Sequence, residues 1–170
     1  MRALFPLEVQ DISAYEQWPD RAVVILSCAD LDSQVPVWMP RFQAELVAAT
    51  VPGAREMSAR EIINASHGAA LSLSSHPYVD VFCDIVEAYG DSIKEVVLDG
   101  FVEGRFLVQV NTLGGQSFEV RASDGIMLAR HVGCPLFASQ HVMDNAAVRA
   151  PLADEDVSLS DVDWDEFLNP

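Results

Sequence analysis

The hydrophobic and polar positions of this chain change period every few residues, which indicates strands and helices in alternation. Alternating or short continuous apolar blocks predict strands at 4–9, 22–28, 35–39, 93–99, 106–112, 116–121 and 136–139. Apolar positions at helical spacing predict helices at 40–51, 58–67, 77–89, 124–132 and 140–148. Two of the predicted hairpins lead directly into a helix, so the chain could consist of two hairpin–helix halves.

The stretch 119–135 carries the densest set of structural signals. Ser123 stands where an N-cap is expected, and Asp124 follows in the first turn, where a negative charge favours the helix dipole. Gly133 can adopt the left-handed conformation that ends a helix, and Pro135 prevents its continuation. The stretch is therefore predicted to be a strand, a polar corner and a helix.

The polar corner at Arg121, Ser123 and Asp124 allows two interpretations. In the structural one, Ser123 caps the helix, Asp124 offsets the free amides, and Arg121 pairs with Asp124. In the functional one the corner is a phosphate and metal site, because helix N-termini attract anions. An arginine can bind phosphate with two N–H groups, and an aspartate can hold a divalent cation.

Two of the predicted helices should each cover the sheet with one apolar face. The face of the helix at 40–51 comprises Phe42, Leu46 and Ala49, and that of the helix at 77–89 comprises Tyr78, Val81, Phe82, Ile85, Val86 and Tyr89. We expect Tyr78, Phe82, Ile85 and Val86 to be buried together with Val108, Val110, Ile126 and Leu128.

Composition indicates a globular protein with a sizeable core, because half of the 170 residues are hydrophobic. No apolar run reaches the length of a membrane span, and the N-terminal residues lack the apolar segment of a signal peptide. We therefore expect a cytoplasmic protein without a membrane partner. Cys28, Cys83 and Cys134 lie far apart in apolar surroundings, which is typical of free thiols.

The net charge is −16 and is unevenly distributed. Seven acidic residues and no basic residue fall in 152–170, so the rest of the chain still carries −9. Nonspecific binding of nucleic acid depends on basic side chains that displace counterions. With ten lysines and arginines in the whole chain, no basic stripe is visible. The composition thus argues against an extended nucleic-acid surface.

The candidate chemistry is acidic, because the chain contains no P-loop and no metalloprotease or serine-hydrolase motif. Hydrolysis of a phosphodiester with Mg²⁺ or Mn²⁺ needs converging carboxylates and a positive group for the phosphate. Asp99, Glu119 and Asp124 could be the metal ligands if their strands are neighbours, with Arg121 and Asp124 as catalytic residues. Acids at strand ends are also common on solvated surfaces. We expect no organic cofactor.

The segment RASDGIMLARHVGCPLF at 121–137 resembles the signature of the bifunctional nuclease domain family, which has Arg-Pro-Ser-Asp-Ala followed by an apolar helix. VVLDG at 96–100 and VPVWMPRFQAELVAA at 35–49 have counterparts in the same order. The resemblance covers roughly residues 20–150. It implies the fold of that family and a nuclease-like activity on DNA or RNA with a divalent metal.

The chain departs from the family pattern at several positions. Ala122 replaces a proline, and Gln43 and Ala44 stand where the family has Glu-Ala. The stretch 76–81 lacks the family's threonine and histidine, and 53–75 resembles an insertion. The lost threonine, histidine and glutamate, together with the acidic charge, favour the rival interpretation, a non-catalytic interaction or regulatory domain with the same fold. The retained corner at Arg121, Ser123 and Asp124 favours the enzyme.

The expected fold is α+β, with a mixed, largely antiparallel sheet that is curved or barrel-like and has helices packed outside. We expect one domain at 1–151, with 53–75 as an insertion, followed by an acidic tail at 152–170. Because that tail includes Trp164 and Phe167, it is either solvated or a docking segment for this domain, a second subunit or another protein. We expect a homo-oligomer.

Overall fold

A computed structural model describes residues 3–15, 17–50 and 77–149 of the chain. The predicted helix at 58–67, the proposed insertion at 53–75 and the acidic tail at 152–170 lie outside these residues. None of the helices in the described part of the chain is long and apolar enough to cross a membrane.

The architecture is α+β, as predicted, with eight strands in one mixed sheet and four helices among the described residues. The strands are β1 (Leu4–Ala14), β2 (Arg21–Cys28), β3 (Ser33–Pro40), β4 (Ile93–Val102), β5 (Arg105–Thr112), β6 (Ser117–Val120), β7 (Leu136–Ser139) and β8 (Val148–Arg149). The helices are α1 (Arg41–Thr50), α2 (Pro77–Ala88), α3 (Ala122–Val132) and α4 (Gln140–Ala146). The helix predicted to run to residue 148 ends earlier, because Ala147 is extended and leads into β8.

The sheet has the order β6-β5-β4-β7-β1-β2-β3-β8. Its neighbouring strands are antiparallel except for β4 and β7, which are parallel. The sheet is open, with β6 and β8 at its edges, so the barrel-like closure is not observed. Each of the hairpins β2–β3 and β5–β6 runs directly into a helix, α1 and α3 respectively, and these two helices pack against each other.

The core is one continuous apolar cluster that includes strands from both hairpins and both of their helices. Val108, Val110, Ile126 and Leu128 are buried in it, as predicted, and Val86 is also buried. Phe82 is half-buried and packs edge-on against Phe118, with ring centroids 5.8 Å apart. The side chain of Tyr78 lies outside the described residues.

The predicted apolar faces of α1 and α2 are partly wrong. Ile85 is exposed, together with Val81 and Tyr89, because α2 turns a narrower stripe that includes Val79 and Val86 toward the core. In α1 the buried positions are Ala44, Val47 and Ala48, whereas Phe42 is 61% exposed. Both helices therefore expose apolar side chains that the core does not cover.

The closest contact between α3 and the sheet is at Gly125. A Cβ atom at this position would lie 2.8 Å from Val108 Cγ1, 3.1 Å from Val96 Cγ1 and 3.4 Å from Val120 Cγ2. These three valines belong to adjacent strands, so the absence of a side chain at Gly125 lets the first turn of α3 lie directly on the sheet. Any larger residue would displace the helix from its strands.

Gly125→Ala should therefore destabilise the protein, although alanine favours a helix by up to about 1 kcal/mol over glycine. We expect a net loss of about 1–2 kcal/mol in the free energy of unfolding, because overpacking costs roughly 1–3 kcal/mol. Denaturant unfolding of Gly125→Ala, Val108→Ala and the double variant measures this loss. The second change removes the contacted methyl group, so the double variant should be more stable than the sum of the single effects implies.

Candidate functional site

A cleft of about 630 Å³ opens between the N-termini of α1 and α3 and the turn that joins β4 to β5. Its lining comprises Pro36, Trp38, Met39, Pro40, Phe42, Gln43, Phe101, Gly104, Arg105, Phe106, Arg121, Ala122 and Ser123. This volume falls within the roughly 300–1,000 Å³ that is typical of small-ligand sites. In the sheet order, β7, β1 and β2 lie between β4 and β3, so the sheet must curve strongly for both strands to line one cleft.

The polar corner predicted from the sequence forms one wall of this cleft, but Ser123 does not cap the helix. Helix α3 begins at Ala122, and the N–H of Gly125 donates to the carbonyl oxygen of Arg121 at 2.9 Å. Arg121 is therefore the N-cap residue, without a side-chain cap, and the prediction for Ser123 is wrong. Ala122 takes the first helical position, which is the one proline favours and where the related family has proline.

The predicted end of α3 is confirmed. Gly133 has a φ of 75°, and its N–H donates to the carbonyl oxygen of Ala129 at 2.9 Å. The N–H of Cys134 donates to the same oxygen at 3.1 Å. The left-handed glycine thus allows two N–H groups to satisfy a carbonyl group of the last turn.

The charge of the cleft is opposite to that of the chain. Arg105 and Arg121 are exposed and line it, and no acidic side chain of the described residues does so. No ion pair joins Arg121 to Asp124 within the described ranges, so the predicted pair between them is not observed. Both guanidinium groups therefore remain available to a negatively charged ligand.

Two polar residues in the lining are largely buried. Gln43 is 9% exposed and Ser123 is 4% exposed. Neither side chain hydrogen-bonds another residue in the part of the chain that the structure describes. Their polar atoms are not among the fully buried atoms that lack a partner, so they reach the solvent of the cleft and are accessible to a ligand.

The three predicted metal ligands do not converge. Val120 faces α3, since it approaches Gly125, so its neighbour Glu119 lies on the opposite face of the sheet from Asp124. Asp99 is the extra residue of a bulge in β4, where its carbonyl oxygen accepts from Ser139 Oγ at 2.7 Å. No three His, Cys, Asp or Glu residues in the described ranges are grouped to hold a metal ion. Among the described residues, Asp99, Glu119 and Asp124 therefore do not form one metal site.

The cysteines are free thiols, as predicted. Cys28 is buried, and Cys83 and Cys134 are half-buried. Burial raises the pKa of the Cys134 thiol above its usual value, which makes it a weak nucleophile near neutral pH. The cysteines thus offer no alternative catalytic group.

The fold and the cleft define an α+β protein with a positively charged and partly aromatic site on an acidic surface. The family model described as the bifunctional nuclease domain matches residues 55–151, which is more than half of the chain. The chain therefore belongs to the bifunctional nuclease domain family. This match begins inside the predicted insertion 53–75, whose status stays a prediction.

Two full-length relatives come from two strains of Mycobacterium tuberculosis, and their names are Uncharacterized protein MT1877 and Uncharacterized protein Rv1829. Each is 24% identical to this chain over 151 residues, covering 89% of this chain and 82% of the relative. The similarity thus extends over nearly the whole chain, and it carries no assigned activity.

Sequence reasoning found Arg121 and Ser123 but missed Arg105, Gln43 and Phe42. Gln43 carried a signal, because the related family has a glutamate at this position. Phe42 was assigned to the buried face by its spacing alone. Arg105 follows a turn in which both Glu103 and Gly104 have positive φ, and its position beside the corner depends on how β4 and β5 pair.

Two matched serine variants test the corrected start of α3. Ser139 caps α4, since its hydroxyl oxygen accepts from the N–H of Val142 at 3.3 Å and its hydroxyl group donates to Asp99 O at 2.7 Å. Ser139→Ala should lower the free energy of unfolding by about 1–2 kcal/mol. Ser123→Ala should lower it by less than about 0.5 kcal/mol, because no cap is lost. If both variants lose the same free energy in thermal or denaturant unfolding, Ser123 caps α3 after all.

Proposed function

We propose that this chain is a nuclease-like domain whose cleft binds a phosphodiester group of DNA or RNA. One observation carries the proposal: on a chain with a net charge of −16, the described lining of the cleft contains two arginines and no acid. A protein of this charge repels polyanions over most of its surface, so a local positive cleft determines where a phosphate can approach.

The start of α3 supplies the groups that a phosphate requires. The N–H groups of residues 122–124 precede the first bond of the helix, between Gly125 and Arg121, so they have no helical partner. A helix start also favours negative charge through its dipole. In the proposal, Arg121 binds the phosphate oxygens with two N–H groups, Ser123 donates its hydroxyl, and Arg105 neutralises the charge from the β4–β5 turn.

The proposal predicts a weak dependence of binding on salt. Two phosphates neutralised by Arg105 and Arg121 correspond to a slope of log K against log salt of about −1.4 for single strands and −1.8 for duplexes. Arg121→Gln should reduce the slope by roughly half and weaken binding of a short labelled oligonucleotide about tenfold. Fluorescence anisotropy at several salt concentrations measures both quantities.

Arg149→Gln is the matched control, because Arg149 is exposed and pairs with Ser33, away from the cleft. It should leave the affinity and the slope unchanged. Equal effects of the two substitutions would mean that binding reflects overall charge and not the cleft.

Whether the bound phosphodiester is also hydrolysed is a separate question. The family name implies cleavage of nucleic acid, and the sequence suggested Mg²⁺ or Mn²⁺ held by Asp99, Glu119 and Asp124. The separation of these carboxylates in the described part of the chain favours a second candidate function, a domain that binds nucleic acid without cutting it. Asp124 distinguishes the two candidates, because it is the predicted metal ligand in the first turn of α3, next to Ser123 of the proposed phosphate site.

Asp124→Asn removes a charge from the start of α3 but retains its size. We expect purified wild-type protein to bind oligonucleotides without cleaving them in Mg²⁺ or Mn²⁺, and the variant to bind at least as tightly. Its stability should fall by about 0.3–1 kcal/mol, because a favourable charge leaves the helix start. Gel analysis of labelled DNA and RNA detects cleavage. Metal-dependent cleavage that disappears in folded Asp124→Asn would establish the nuclease and refute the binding-only candidate.

A further inference from the structure

The lining of the cleft also contains four aromatic residues. We call Trp38, Phe42, Phe101 and Phe106 the aromatic wall, since all four residues line the cleft. Phe42 is 61% exposed, although other apolar residues of α1, such as Ala44 and Val47, are buried. A large exposed aromatic side chain beside a charged site is typical of a binding surface.

The other rings of the aromatic wall are held in place by their neighbours. Trp38 meets Trp18 edge-on, with ring centroids 5.4 Å apart and an interplanar angle of 86°. It also contacts Tyr15 at 5.7 Å. Phe101 and Phe106 are directly opposite on β4 and β5, with centroids 4.7 Å apart. The rings of Trp38, Phe101 and Phe106 are therefore fixed before a ligand binds. Phe42 is the exposed member of the aromatic wall.

We infer that the aromatic wall binds an unpaired nucleobase, so that the cleft selects single-stranded nucleic acid. This inference rests on the proposed function, since a phosphate at Arg121 places the base of the same nucleotide within the cleft. Planar bases stack on aromatic side chains regardless of their identity. The amide of Gln43, which lines the cleft and has no partner in the described ranges, offers one acceptor and two donor positions to the base edge.

A duplex offers phosphate groups to this cleft but no free base. Its bases are stacked and paired, so none is free to contact Phe42 unless it is first extruded from the helix. Duplex binding without base contacts relies on many phosphate contacts over a wide surface. The cleft provides two arginines on a strongly acidic chain. A short single strand satisfies the cleft with two adjacent phosphate groups and one base.

The test compares three labelled ligands of equal length: oligothymidylate, the same backbone with abasic sites, and a duplex that contains the oligothymidylate. We expect oligothymidylate to bind about tenfold more tightly than the other two, within the range of about 5- to 150-fold that stacking of one base supplies. Phe42→Leu should reduce its affinity to that of the abasic strand and leave abasic binding unchanged. Phe42→Tyr, which keeps the ring, should bind as the wild type does.

Tyr89→Leu is the matched control, because Tyr89 directly follows α2, is 86% exposed and does not line the cleft. It should change no affinity. Equal binding of the abasic strand and oligothymidylate, unaffected by Phe42→Leu, overturns the base site but leaves the phosphate site intact. Binding of none of the three ligands overturns the proposed function together with this inference, and a duplex that binds as tightly as the single strand overturns single-strand selection alone.

Discussion

The close contact of Gly125 with the sheet is the constraint on which the candidate site depends. Val96, Val108 and Val120 leave no room for a side chain at this position, so the first turn of α3 lies flat against three strands. That placement directs Ala122 and Ser123 into the cleft and leaves Arg121 at its rim, just before the helix. A helix raised by one methyl group would move its N–H groups and the Ser123 hydroxyl away from the position that a ligand would occupy.

A repeated arrangement of elements creates the cleft itself. Two hairpins each run into a helix, and α1 packs against α3, so the N-termini of both helices line the same opening. The strands that reach the cleft lie far apart in the sheet, at β3 on one side and the β4–β5 turn on the other. Curvature of the open sheet is thus what brings residues from 36–43, 101–106 and 121–123 together.

The cleft reverses the usual relation between polarity and burial. Gln43 and Ser123 are polar and buried, whereas Phe42 is apolar and largely exposed, and all three residues line the same opening. In the free protein the exposed ring is in contact with water, and the polar atoms of Gln43 and Ser123 have no protein partner among the described residues. A ligand with a phosphate and a planar base would satisfy both kinds of group. Helix α2 also exposes apolar residues, Val81 and Ile85, but neither lines the cleft.

The sequence by itself determined the element order, the α+β class, the left-handed end of α3 at Gly133 and most of the buried strand residues. These features depend on local periodicity and on backbone preferences of single residues. Both can be recognised in the sequence without knowing which residues are in contact. It also indicated the corner at Arg121 and Ser123, but not the role of Ser123, because a one-residue shift of the helix start exchanges a cap for an interior position. Only the tertiary structure decided that Glu119 and Asp124 lie on opposite faces of the sheet and that Arg105, Gln43 and Phe42 share a cleft with Arg121. Strand pairing, sheet curvature and helix rotation set those distances, and all three are properties of residues distant in sequence.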